Sequence, residues 1–263
     1  MIGEIRMVEV LLSCMHQTDD TIINKSNLSR ERVLIVNQCE VACDELKQGD
    51  ILHRMINTKT RGLSISRNIA LENAVGEICV ISDDDEVFFD DLSCIIQKVY
   101  DENKDADIIV FNLENRHQKL GLKKKWLKKY ELLRVASWQI TFRRASVVGK
   151  VKFDTKLGAG TGNGGGEENK FLFDCYKCGL RILYVPISIA VGIEDASSTW
   201  FFGYDEQYFR KLGCVIRYLL GKPIGFVYCV YTVLTKYGLY KKEMSMWKAF
   251  RYIFRGFFRE KLG

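Results

Sequence analysis

The chain has 263 residues, 47% hydrophobic and 27% charged, with only two prolines, which excludes a disordered or collagen-like chain and allows one large domain or one domain with an appendage. Its net charge of +6 is unevenly spread: from Trp200 to Gly263 twelve Lys and Arg stand against four Asp and Glu, while the remainder is slightly acidic. An acidic partner, nucleic acid or an anionic membrane surface, would therefore meet the tail.

Residues 7–13 (MVEVLLS) read as a buried strand, 19–24 as a short helix, 32–37 (RVLIVN) as a second strand and the alternating 51–57 (ILHRMIN) as a third. A helix opens at Arg61-Gly62-Leu63-Ser64 and runs to about Ala74. It carries Ile65, Ile69, Ala70 and Leu71 at helical spacing, and Gly76 is its stop. Residues 77–82 (EICVIS) form a central strand with Asp83-Asp84-Asp85 at its carboxyl end, followed by a helix over 91–103 and a strand over 106–113. Strands alternating with helices predict an α/β fold with a mainly parallel sheet, in which ligands bind beyond the carboxyl ends of the strands.

Six lysines and Trp126 fill residues 119–129, either a solvated basic face or a surface for phosphate or membrane. Residues 138–143 (WQITFR) read as a strand, and Trp138 as a core residue or a stacking platform for a ligand. A glycine-dense loop (157–166, LGAGTGNGGG) leads into a helix starting at Glu167-Glu168-Asn169 and ending near Gly179; 181–192 supplies the last strands. The loop either closes over a ligand or is a flexible turn, and it lacks the Gly-Lys-Ser/Thr of a P-loop. Cys175 and Cys178 lack the second pair that a structural zinc needs. Nine cysteines and no long apolar run after Met1–Arg6 predict reduced thiols in a cytosolic compartment. His16, His53 and His117 show no ligand spacing.

Beyond Trp200 apolar, aromatic and basic residues interleave. The apolar run 224–234 is 11 residues long, where a membrane span needs about 20. Trp247, Phe250, Ile253, Phe254, Phe257 and Phe258 fall at helical spacing with Lys248, Arg251, Arg255, Arg259 and Lys261 mostly between them. That pattern fits a helix lying in a membrane interface, or a helical subdomain packed on a core. The chain thus reads as an α/β domain over 1–200 and a basic, aromatic, amphipathic helical tail over 201–263.

Three adjacent carboxylates at a strand end repel one another unless they are solvated or share a divalent cation. In extended chain Asp83 and Asp85 point the same way. Oxygen ligands suit Mg²⁺ or Mn²⁺, which bridge to a diphosphate. The stretch RGLSISRNIALENAVGEICVISDDDE, residues 61–86, closely resembles family 2 glycosyltransferases of the GT-A fold, a Rossmann-like fold with a mainly parallel central sheet. Gly62, Ser64, Arg67, Asn68, Ala74, Gly76, Glu77, Asp83 and Asp85 stand in the family's order. Gly166-Glu167-Glu168 resembles the family's Gly-Glu-Asp at the acceptor site, with Glu in place of the usual Asp.

The resemblance implies an inverting transfer from a nucleotide sugar. It assigns the metal to Asp85 with help from Asp83, and the base to Glu168, with Glu167 the alternative. The family's nucleotide-binding turns are replaced by Ser13-Cys14-Met15-His16-Gln17 and Asn37-Gln38, so the base stays open. Asp84, Gly62, Gly165 and Gly166 fall on the substrate side; Arg61 and Arg67 either hold phosphate or pair structurally. Glu194 and Asp195 stand where the family often has a metal-binding His. Relatives that build capsular or exopolysaccharide act on lipid-diphosphate carriers. They imply a glycan or lipid-linked glycan acceptor, the cytoplasmic face of a bacterial plasma membrane bound through the tail, and no nucleic-acid partner. The rivals are a sugar-1-phosphate nucleotidyltransferase, whose basic Gly-rich loop after the first strand is missing, and a non-catalytic membrane or nucleic-acid binding module, which leaves the Asp triplet unexplained.

Overall fold

The apolar run VEVLLSCM forms strand β1 (Val8–Met15), buried along seven of its eight residues. Such continuous burial belongs to a central strand covered on both faces. Its one charge, Glu9, is fully buried and satisfied: it pairs with Arg54 at 2.6 Å and accepts the amides of Val75 and Gly76 at 2.6 and 2.8 Å. The computed structural model describes residues 7–40, 46–48, 52–115, 119–193 and 203–262. The chain divides into two compact units, Met1–Phe153 with Phe171–Ala196, and Asp154–Lys170 with Ser197–Gly263.

The first unit continues with α1 (Thr21–Lys25), β2 (Arg32–Gln38), β3 (Leu46–Gln48), β4 (His53–Thr58) and α2 (Leu63–Asn73). Then come β5 (Ile78–Ser82), β6 (Glu86–Phe88), α3 (Leu92–Glu102), β7 (Ile108–Leu113) and β8 (Lys125–Trp126). Two 3-10 turns, Lys129–Arg134 and Ser137–Gln139, precede β9 (Ile140–Arg143) and α4 (Arg144–Val147). After α5 (Glu167–Lys177), whose first residues belong to the second unit, β10 (Ile182–Gly192) completes a sheet of order β3-β4-β2-β1-β5-β9-β7-β10-β6, with β8 also paired to β10.

Strands β4, β2, β1, β5, β7 and β10 run the same way, and β3, β9, β6 and β8 oppose them. The sheet is therefore mixed but mainly parallel, as predicted. The carboxyl ends of β1, β2, β4 and β5 share one edge, and that edge carries residues 13–17, 37–38, 57–58 and 83–85. One core cluster joins β1, β2, β5, β7 and β10 to Leu92, Ile96, Val99 and Tyr100 of α3.

Differences from the sequence reading have local causes. β3, β6 and β8 are two or three residues long and carry no periodicity of their own. Trp138 lies in a 3-10 turn, not in β9, and packs against the main core. Gly76 is no left-handed helix cap: α2 ends at Asn73, and a Cβ on Gly76 would lie 2.5 Å from that of Glu9. Close approach to β1 is what selects glycine there.

The second unit holds the 154–170 segment, α6 (Glu206–Thr235), α7 (Tyr237–Tyr240) and α8 (Met246–Arg259). By length and composition α6 meets the criterion for a membrane span, contrary to the short apolar run read from sequence. The helix is not straight: Gly221 sits at φ 71° and ψ −177°, two residues before Pro223. A Cβ on Gly225 would lie 3.3 Å from the Ile216 carbonyl, where a continuous helix would separate these residues by about 13 Å. The chain reverses, and arms 206–220 and 222–235 are each short of the ~30 Å apolar layer.

Phe209, Ile216, Cys229, Val233, Tyr240, Ala249, Ile253 and Phe257 form this unit's core. Ile253 and Phe257 are thus taken up by packing, whereas Trp247 and Phe258 remain exposed. Lys119, Lys123, Lys124 and Lys128 of the first unit are solvated. Cys175 is buried and Cys178 exposed. His117, Glu194 and Asp195 lie outside the described residues.

Candidate active site

Strand β5 delivers its carboxyl end as Ser82-Asp83-Asp84-Asp85-Glu86, and β6 begins on Glu86. The turn is tied down at both sides: the Ile193 amide donates to the Asp85 carbonyl at 2.8 Å, and the Ser82 hydroxyl donates to Glu86 Oε2 at 2.9 Å. Asp83, Asp84 and Asp85 are half-buried, and Glu86 is fully buried. One carboxylate oxygen from each of Asp83, Asp85 and Glu86 lies within 4.8 Å of the others. Burial raises the Glu86 carboxyl well above its usual range, and the charges of Asp83 and Asp85 raise it further. Burial also raises Asp84, with Asp83 adding to the effect.

Arg67, on α2, is fully buried and its Nη2 donates to both oxygens of Asp83 at 2.9 Å; its guanidinium stands 5.4 Å from the Phe153 ring centre. The Ser137 hydroxyl reaches the same carboxylate at 3.3 Å. Arg67 thus makes a structural pair with Asp83. Asn68 exchanges two hydrogen bonds with the backbone of Phe153, at 2.8 and 2.9 Å. The resemblance motif therefore builds the floor of the acidic site through Arg67 and Asn68.

Around the ends of β1 and β2, side chains read from sequence as ligand-facing largely brace loops. The Asn37 amide donates to the Gln17 carbonyl and to Asn57, both at 2.7 Å. Gln38 donates to the carbonyls of Thr60 and Gly62 at 3.0 and 3.2 Å. Ser13 is buried and accepts from Ser66 at 3.0 Å. Gly62 precedes α2 at φ 115°. Met15 is exposed, and Arg61 is partly exposed beside Glu40. Trp138 is half-buried and packs against the main core. Sequence reading missed Glu86 and Ser137; the signal for Glu86 was a fourth acid directly after the triplet.

In the second unit the loop before α5 is an ordered turn: the Gly158 amide donates to the Gly164 carbonyl at 2.8 Å, and Asn163 ties back to Lys156 at 2.8 Å. Gly165 is half-buried. Gly166 adopts φ 103°, and a Cβ there would sit 2.9 Å from Val215 Cγ1. Glu167 and Glu168 open α5, where the helix N-terminus favours negative charge. Glu167 is buried and Glu168 half-buried.

The cation that the fold family implies fits these residues, since Glu86 Oε1 is buried and accepts no hydrogen bond among the described residues. Asp83, Asp85 and Glu86 are hard oxygen donors of the kind Mg²⁺ and Mn²⁺ take.

Residues 9–149 match the family described as Glycosyl transferase family 2. Among solved structures, the chain resembles the crystal structure of S. aureus TarS 1-349 in complex with UDP-GlcNAc. The TM-score is 0.59 at 13% identity, over 90% of this chain and 74% of that one. The UDP complex of the same fragment gives 0.59 and 13%, over 95% and 80%. The TarS 1-349 structure gives 0.57 and 14%, over 95% and 80%. No curated protein matches the chain.

Proposed function

This chain belongs to glycosyl transferase family 2, and from that premise we propose that it moves a sugar from a UDP-sugar to a hydroxyl of a lipid-diphosphate-linked glycan, in surface polysaccharide synthesis. The observation that carries the reading is the acidic group Asp83, Asp85 and Glu86 at the carboxyl end of β5. That edge is where open α/β sheets receive phosphorylated ligands, and the TarS fragment of similar fold is described in complex with UDP-GlcNAc.

Asp85, helped by Asp83, would hold Mg²⁺ or Mn²⁺, which supplies charge neutralisation for a departing diphosphate. Arg67 keeps Asp83 oriented. Gly62 and Met15 border the nucleotide, with Arg61 at the rim. Glu168 takes the proton from the acceptor hydroxyl as that oxygen attacks the anomeric carbon; the carbon–diphosphate bond breaks in the same displacement, inverting the centre. Glu167, more buried, supports the helix start.

Exposed Trp247, Val227, Leu239, Phe258 and Tyr231, with Lys236, Lys241, Lys242, Lys248, Arg251, Arg255 and Arg259, support peripheral attachment to an anionic membrane at its cytoplasmic face.

Titrating a panel of nucleotide sugars into the full chain tests the donor assignment. UDP-sugar binding should require Mn²⁺ and disappear in Asp85→Asn. Equal binding without metal, or in the variant, overturns it. For the membrane, the full chain should sediment with anionic and not neutral vesicles, and Trp247→Ser with Phe258→Ser should abolish this; sedimentation unchanged by the substitutions refutes the attachment.

A further inference from the structure

Glu86 is 1% exposed, and its two oxygens have different surroundings. Oε2 accepts the Ser82 hydroxyl at 2.9 Å, while Oε1 accepts nothing among the described residues. A buried carboxylate oxygen left without a donor is costly, and more so beside other carboxylates. Two cations among the described residues lie beside the cluster: Arg67, held bidentate by Asp83, and Lys25, whose Nζ reaches the Asp84 carbonyl at 3.4 Å. Asp83 and Asp85 add negative charge around that unpartnered oxygen, a setting that favours a divalent cation.

The spacing suits the same ion. Oxygens around an octahedral Mg²⁺ lie about 3 Å apart when adjacent and about 4.2 Å when opposite, and the three carboxylates already stand within 4.8 Å. Both oxygens of Asp83 already accept from Arg67, whose side chain is fully buried.

We propose that Glu86 is a direct ligand of the divalent cation, its Oε1 completing with Asp85 and Asp83 a three-carboxylate site that the chain holds without nucleotide. This rests on the metal-assisted reading above and adds a ligand to it. Glu86 then has a positive partner that hydrogen bonding does not supply, and the ion is anchored to β6 as well as to the end of β5.

The test is Mn²⁺ alone titrated into the full chain, followed by the electron paramagnetic resonance of free Mn²⁺ and by Tm. The wild-type chain should take up one Mn²⁺ and gain Tm. Glu86→Gln should keep the metal-free fold and weaken Mn²⁺ binding by at least about tenfold. Glu86→Asp, which retains charge but shortens the reach, should also bind more weakly, and it carries the test if the Gln variant does not fold. Wild-type affinity in both variants overturns the role of Glu86 and leaves the transferase reading intact. No Mn²⁺ uptake by the wild-type chain, with or without UDP, overturns both.

Discussion

Arg67 and Asp83 meet through one guanidinium nitrogen placed 2.9 Å from each carboxylate oxygen, with the arginine side chain wholly removed from solvent. The pair links α2 to the end of β5, so the helix of the family motif and the acidic turn form one rigid piece. Removing one partner leaves the other charge buried and uncompensated. Arg67→Met should lower unfolding free energy by about 3 kcal/mol in denaturant titrations. Arg67→Lys should recover only part of it, because an ammonium cannot reproduce the planar guanidinium geometry or its stacking on Phe153.

The two acids at the start of α5 should separate kinetically. Glu168 is the more accessible, and Glu167 is buried. Glu168→Gln should lower kcat by about 10²- to 10⁴-fold with donor affinity unchanged. Glu167→Gln should act mainly on stability. The reverse pattern in steady-state kinetics would move the base to Glu167.

Helices α6 and α8 cross at two glycines. A Cβ on Gly213 would lie 2.0 Å from the Ile253 carbonyl oxygen, and one on Gly256 would lie 1.9 Å from that of Arg210. Both contacts are with backbone, which cannot rotate away. Gly256→Ala should therefore cost about 2 kcal/mol or more. Gly238→Ala, which meets nothing within 4 Å, should be neutral or slightly stabilising. Thermal melts of the two variants make the comparison.

Asp154 anchors the glycine loop by accepting from the Tyr218 hydroxyl and the Lys156 amide. Partial burial pushes its carboxyl up, but these hydrogen bonds, with Lys170 and Lys156 nearby, hold it below the ordinary 3.8. The folded value lies under the unfolded one. Its stabilising contribution is therefore complete above the unfolded pKa and is lost as pH falls through the folded pKa. Asp154→Asn and Tyr218→Phe should destabilise the protein at neutral pH. The deficit of the Asn variant should shrink in acid, as read from Tm against pH.

The α/β class, the order of the long elements and the acidic strand end were legible because each rests on local information. Val8–Met15 and Ile78–Ser82 are apolar runs, α2 carries helical spacing, and residues 61–86 hold the motif in a continuous stretch. What stayed hidden depends on partners distant in sequence. Nothing around Arg67 says that Asp83 claims it, or that the Asn37 amide bonds Asn57. Nor does Gly221 announce that α6 turns back on itself.

By itself, then, the sequence determined which segments are strands or helices and which residue types gather at the carboxyl edge, since periodicity and motif spacing act over short stretches of chain. Only the tertiary structure decided which of those groups have their charge met by protein and which do not. Burial and pairing are set by neighbours up to dozens of residues away, and that is how Glu86, unremarked in the sequence, came to hold one buried oxygen with no hydrogen-bond partner among the described residues.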